Sequence, residues 1–279
     1  MKGTKEITGL PREASRDALR LDVLLVERGF AESRARAQSL ILAGAVWIGD
    51  EAVTKAGFRV APDAQVCVKT AGDSSFVSRA GEKLAHALDI FRVEVEGRDC
   101  LDAGASTGGF TDVLLRRSAA RVIAVDVGYG QLDWSLRNDP RVSVMERTNV
   151  RHLWGRDLPF APRLFVADLS FISLVVALAN VLSTTPSIGE AVVLVKPQFE
   201  AGPEQVSRGG LVRDPAVHAA TVRGVVEGFK PLGFEAVDVA RSPVAGRKAG
   251  NTEYPLRLLR GAKATLDEER IFMVVGGEP

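Results

Sequence analysis

From residue 99 to residue 260 the chain alternates short, continuous apolar runs with longer stretches whose apolar residues recur at helical spacing. The short runs, 99–103, 121–126, 142–145, 163–167, 190–195, 235–240 and 254–260, read as buried strands. The stretches 109–117, 172–183 and 214–230 read as the helices between them. Such alternation predicts an α/β, doubly wound sheet with ligands at the C-terminal ends of its strands. Upstream the pattern is different. LRLDVLLVERG (19–29) and SRARAQSLILAG (33–44) each have helical periodicity and a Gly stop, with Glu32 or Ser33 able to cap the second. VWIGDEAVTKAG (46–57) reads as strand, Gly-Asp turn and strand, and QVCVK (65–69) as a third strand. The chain therefore divides into a small α+β domain over 18–70, a polar linker over 71–77, and a larger domain over 78–279 that opens with a helix, SRAGEKLAHALDIF. The tail LDEERIFMVVGGEP (266–279) has the makings of a short helix.

One apolar run, 164–182, is long enough to cross a bilayer. Asp168 lies inside it, at a cost of ~3 kcal/mol near a membrane centre, and the period changes from strand to helix midway. A strand followed by a helix accounts for it better than a membrane span.

Composition narrows the setting. The 279 residues are 46% hydrophobic and 25% charged, as in ordinary globular proteins, with a formal net charge of +1. Any nucleic-acid contact must therefore rest on local positive charge. Two cysteines, Cys67 and Cys100, sit in strand-like runs, which points to a reducing, cytoplasmic setting without a disulfide framework or zinc spacing. The polar N-terminus lacks the apolar core of a signal peptide.

The chemistry gathers around DCLDAGASTGGFTD (99–112), where a strand runs into a Gly-rich turn and a helix opens near Gly109. Gly104, Gly108 and Gly109 allow close backbone approach, with Ser106, Thr107 and Phe110 between and after them. The spacing is not the dinucleotide fingerprint, so pyrophosphate binding is not favoured. Asp102 precedes the turn, where it can meet a cationic or hydroxylated ligand. Asp126, followed by Val127, ends the next strand at the distance where an acid accepts hydrogen bonds from ribose hydroxyls. Together these suit S-adenosylmethionine. Further polar residues stand at other strand ends: Asn149, beside Val150, which can pair with an adenine edge; Asp168 in ADLSF; Lys196 in VKPQFE; and Glu253 before the last strand. The polar–Pro–Pro–aromatic motif of amino-group methylation is missing after the fourth strand, and neither cysteine is placed as a nucleophile for cytosine C5 methylation. What remains is a set of lysines and acids.

Two resemblances sharpen this reading. RLDVLLVERGFAESRARAQSLILAGAVWIGD is similar to the small RNA-binding domain shared by a small-subunit ribosomal protein, many pseudouridine synthases and related factors. The resemblance implies that Ser33, Arg34, Arg36, Gln38 and the neighbourhood of Trp47 face RNA. For the arginines alone, a solvated helix face is the plain alternative. Over roughly 19–260 the strings SRAGEKL, LDAGASTGGFTD, AVDVGYGQL, ERTNVR, ADLSFISL, VKPQFE, GGLVRD and GNTEY resemble the TlyA, or hemolysin A, family of ribosomal RNA 2′-O-methyltransferases. Their catalytic part is similar to the FtsJ-type, Rossmann-like class I methyltransferase fold. The resemblance implies S-adenosylmethionine as cofactor, ribosomal RNA as partner, the ribose 2′-hydroxyl of cytidine as methyl acceptor, and Lys83, Asp168, Lys196 and Glu253 as a Lys-Asp-Lys-Glu tetrad. Asp168 also borders the cofactor, and Arg79 shares a face with Lys83 for RNA contact.

The tetrad makes chemical sense. A free lysine, with a pKa near 10.4, is too basic to act as a base at neutral pH. Burial, or Lys83 nearby, would lower Lys196, which serves as base or hydroxyl-positioning group, while the two acids pull the other way and hold geometry and charge balance; a plain ion-pair network of the four is the alternative. No metal or membrane is expected, and a monomer is. A pore-forming hemolysin and a non-catalytic ribosome-assembly factor are the alternatives. Arg247, Lys248 and Pro255 around Glu253 depart from the family pattern; Pro255 implies that the last strand starts at or after it.

Overall fold

The computed structural model describes residues 18–42, 44–48, 51–68, 76–244 and 250–276. The chain divides into two compact units, Met1–Asp73 and Ser74–Pro279. In the first, β1 (Leu19–Arg20) leads into α1 (Leu21–Glu27) and α2 (Arg34–Leu42), followed by β2 (Val46–Ile48), β3 (Glu51–Ala52), β4 (Arg59–Val60) and β5 (Val66–Val68). Leu21, Leu24 and Leu25, three and four apart on α1, bury against Ala37 and Ile41 of α2. The strands form a three-stranded sheet, β3–β2–β5, and a separate pair, β1–β4. That pair explains why α1 begins at Leu21: residues 19 and 20 are extended against Arg59 and Val60. The expected Gly49–Asp50 turn lies outside the described residues.

The second unit runs α3 (Ala80–Ile90), β6 (Asp99–Ala103), α4 (Gly109–Arg116), β7 (Arg121–Val125), α5 (Trp134–Arg137), β8 (Val142–Met145), β9 (Leu164–Ala167), α6 (Leu174–Thr184), β10 (Glu190–Val195), α7 (Pro197–Glu200), α8 (Pro215–Phe229), β11 (Phe234–Val239), β12 (Tyr254–Arg260) and α9 (Glu268–Val275). Among the described residues these strands form a seven-stranded sheet in the order β11–β12–β10–β9–β6–β7–β8. β6 to β10 pair in parallel, whereas β12 runs antiparallel to both of its neighbours. Side chains alternate between the faces. Leu101, Ile123, Phe165 and Val193 pack towards α6 and α8; Cys100, Val122, Val166 and Val192 pack towards α3 and α4.

Phe76 and Val77, read as linker from their neighbours, pack into this second core. Residues 71–75 of that linker lie outside the described residues. The apolar stretch at 164–182 divides into β9 and α6, and no helix among the described residues is long and apolar enough to cross a membrane. β12 starts at Tyr254, one residue before the expected limit. Pro255 is tolerated because its carbonyl, and hence its missing donor, faces the end of the β11 ladder, where Ala240 N–H donates to it at 3.0 Å.

Candidate active site

The Gly turn after β6 is stitched to two strand ends. Gly104 N donates to Val125 O (2.9 Å) and Asp168 N to Ala103 O (3.1 Å). Gly104 has φ +86°, and a Cβ there would lie 2.6 Å from the carbonyl oxygen of Asp168, so both conformation and space require glycine. Asp126 accepts from Ser106 N (2.8 Å) and Gly128 N (2.7 Å), bracing the turn and the loop after β7. Ser106, Asp126, Gly128, Gln131 and Glu146 line a depression there.

Beneath the turn Asp102 has no exposed surface. Its Oδ2 accepts from Thr111 Oγ1 at 2.7 Å, while Oδ1 has no hydrogen-bond partner among the described residues. Burial raises its pKa from the ordinary 3.8 to about 7, with the Asp168 charge adding to the rise and the Thr111 hydrogen bond opposing it. An orphaned carboxylate oxygen below a glycine cradle, and a second acid whose oxygens each keep a lone pair, fit a ligand with an amino group and vicinal hydroxyls.

The other residues expected around the cofactor are less uniform. Val127 is exposed and Thr107 is half-buried, its carbonyl accepting from Asp133 N. The side chains of Phe110 and Val150 are buried in the two cores, which leaves only their backbones for a ligand. Exposed Asn149 uses Oδ1 to cap the short turn at Val150–His152, accepting from Arg151 N at 3.0 Å. Cys100 is fully buried and burial pushes its thiol up to about 12, so it is no nucleophile.

Three of the four tetrad residues stand at strand ends on the same side of the sheet as the Gly turn, and the fourth comes from a helix. Asp168 follows β9, Lys196 follows β10, and Glu253 precedes antiparallel β12, whose start pairs with the end of β10 (Val195 with Tyr254). Lys83 stands in the first turn of α3. That helix is held close to α4: Asp112 accepts from Val77 N (2.9 Å) and pairs with Arg116, and a Cβ on Gly109 would meet Ser78 and Gly81. The result is two ion pairs. Lys83 Nζ is 2.5 Å from Glu253 Oε2, and Lys196 Nζ is 2.5 Å from Asp168 Oδ1 and donates to Ser170 Oγ at 3.1 Å. All four are largely buried, the lysine side chains 11% and 9% exposed. Each ammonium thus faces a carboxylate.

Beside Lys196, Phe171 is 80% exposed with φ +66°, an uncommon conformation for a bulky residue, and its ring lies 4.8 Å from that of Phe199. Glu200 accepts from Leu174 N at 2.8 Å and so ties α7, which follows Lys196, to the start of α6.

In the N-terminal unit, fully buried Asp22 gathers Arg20, Arg34 and Gln38, with hydrogen bonds of 2.9, 3.2 and 2.7 Å. The Arg20 guanidinium holds the Asp22 carboxyl well below the usual carboxylate range. Arg34 remains 58% exposed, while Gln38 is half-buried and committed to Asp22. Ser33 caps α2 through Arg36 N (3.2 Å), and Arg36 is exposed. Arg79, the residue before α3, is also exposed. Sequence reasoning missed Arg20, Asp22, Thr111, Ser170 and Glu200. Each acts through a partner distant from it or through a turn that the periodicity does not reveal.

Comparison with known proteins matches residues 76–259 to the FtsJ-like methyltransferase model and residues 19–66 to the S4 domain. The 16S/23S rRNA (cytidine-2′-O)-methyltransferase TlyA of Mycobacterium tuberculosis is 49% identical over 239 residues, 86% of this chain and 89% of that protein. The protein YqxC of Bacillus subtilis is 42% identical over 261 residues, 92% of both chains. A solved structure described as a hemolysin from Streptococcus thermophilus superposes with a TM-score of 0.72 at 36% identity, covering 94% of this chain and 96% of that one. With its sheet order, its glycine turn and this identity across both units, the chain belongs to the TlyA family of FtsJ-like methyltransferases with an N-terminal S4 domain.

Proposed function

We propose that this protein transfers the methyl group of S-adenosylmethionine to the ribose 2′-hydroxyl of a cytidine in ribosomal RNA. The observation that carries the reading is the pair of buried Lys–carboxylate contacts, Lys83–Glu253 and Lys196–Asp168, at the strand ends that flank the Gly turn. The substrate class follows that of the M. tuberculosis relative. When bound, S-adenosylmethionine supplies an activated methyl group on a sulfonium, which departs as a neutral thioether. The backbone of 104–109 would cradle it, with Asp126 towards the ribose hydroxyls and Asp102 towards the amino group.

The tetrad then has to place one ribose hydroxyl in line with that methyl group and see its proton removed. An ammonium held against a carboxylate donates hydrogen bonds, so Lys196 orients the hydroxyl oxygen first. As the methyl group is transferred, one ammonium proton moves across the 2.5 Å contact to the Asp168 carboxylate and the hydroxyl proton takes its place on Lys196. Lys83, fixed by Glu253, fills the other side of the set. Phe171 offers an exposed aromatic face of the kind on which unstacked bases rest. Arg34, Arg36 and Arg79 supply local positive charge for phosphates, giving position rather than sequence readout.

Mapping 2′-O-methyl sites in ribosomal RNA with and without the protein tests the reading directly. Lys196→Ala is expected to abolish transfer while calorimetry still detects S-adenosylmethionine binding. Full methylation by this variant contradicts the assignment.

A further inference from the structure

Glu253 is gripped from both sides by a buried polar network. Asn251, two residues before it, accepts from Val212 N at Oδ1 (3.0 Å) and donates from Nδ2 to Gly210 O (2.7 Å). Tyr254, the residue after it, places its hydroxyl 2.7 Å from His218 Nδ1, and His218 Nε2 lies 3.0 Å from Val212 O. A carbonyl only accepts, so Nε2 donates to Val212 O, and Nδ1 shares a hydrogen bond with the tyrosine hydroxyl. Burial pushes the Tyr254 phenol up to about 12, which keeps it a donor at physiological pH. Both backbone polar groups of Val212 are thereby satisfied by the two residues flanking Glu253, one directly and one through His218.

Four features make this more than packing. Tyr254, Asn251, Val212 and His218 are all nearly inaccessible, at 1%, 3%, 3% and 6% exposure. A buried polar network is costly unless every member is paired, and here each of these groups is. On its β11 side the backbone around Glu253 is held from one direction: Glu253 O and Pro255 O accept from Ser242 N and Ala240 N, but Pro255 has no N–H to return. Finally, the side chain so fixed is itself 3% exposed and paired to Lys83 across 170 residues of sequence.

We propose that Asn251, Tyr254 and His218 are positioning residues that hold Glu253, and through it Lys83, in the geometry methyl transfer requires. This rests on the tetrad reading above, and the experiment separates the two. Single-turnover methyl-transfer rates are measured with ribosomal RNA substrate and S-adenosylmethionine, both saturating, for Tyr254→Phe, Asn251→Ser, Glu253→Gln and the two combinations with Glu253→Gln. Dissociation constants for both ligands and thermal midpoints are measured alongside.

Tyr254→Phe is expected to slow the single turnover about tenfold and leave both dissociation constants within about twofold. In the Glu253→Gln background the same change is expected to cost less than about twofold, because the group it serves is gone. Asn251→Ser acts from the other side of Glu253 and is expected to show the same pattern, so poor folding of one variant leaves the other to decide. Unchanged rates in the folded variants overturn the proposal. So does an equal loss with and without Glu253, which marks a merely structural role. Glu253→Gln at the full rate removes the tetrad reading itself.

Discussion

Burial makes Asp102 a reluctant anion, and the consequence is measurable. In the unfolded chain its carboxyl ionises near 3.8, whereas in the folded protein it does so only near 7. Folding therefore favours the protonated form. The stability this confers is complete below pH 4 and declines as pH rises through about 7, where the folded carboxyl too must ionise. The rise bounds the penalty at about 4 kcal/mol above neutrality. Asp102→Asn removes it, so the variant is expected to gain denaturant resistance over the parent between pH 5 and pH 8. A gain that does not change with pH contradicts the assignment. The same substitution removes the carboxylate proposed for the cofactor's amino group, so tighter folding should come with weaker binding, the trade often found at functional sites.

At the scale of elements, a second ion network lies at the opposite, N-terminal end of β10. Glu190 accepts from Arg98 at 2.6 Å and from Arg257 on β12 at 2.8 Å, and Arg257 reaches on to Phe91 O. This clamp joins β10, β12 and the end of α3 far from the Gly turn. Glu190→Ala leaves two arginines partly buried without a counter-charge and is expected to cost about 2–3 kcal/mol in chemical denaturation. Methyl transfer per folded molecule should be unaffected. The strands of this sheet were legible in the sequence to within a residue, because continuous apolar runs such as VVLV have one plausible burial. The elements that escaped were short or paired at a distance: the β1–β4 pair, α5, α7, and the network around Val212, whose His218 lies in the first turn of α8 with no periodic signal. The two lysines and two acids were picked out through their contexts, but which lysine meets which carboxylate was not. That Lys83 meets Glu253 rather than Asp168 depends on β12 running against its neighbours, and no local pattern states a strand's direction.

For the molecule as a whole, a net charge of +1 gives little long-range attraction to RNA. The proposed binding would rest on local groups, for which Arg20 and Arg34, both exposed and anchored on Asp22, are candidates. Each unit has its own apolar core, so the second is expected to fold without the first. A chain beginning at Ser74 should keep its affinity for S-adenosylmethionine and lose at least about tenfold in RNA affinity, the deficit narrowing as salt is raised. Filter binding across a salt series, with calorimetry for the cofactor, checks both halves. An undiminished RNA affinity would move the binding surface entirely into the second unit.

The reversed direction of β12 also has a bearing on biosynthesis. The glycine turn and Lys83 are translated early, but the carboxylate that steadies Lys83 arrives 170 residues later. A growing polypeptide can thus assemble much of its Rossmann-like sheet while the proposed catalytic set is still incomplete. On that proposal, the last member needed to modify ribosomal RNA is among the last residues made.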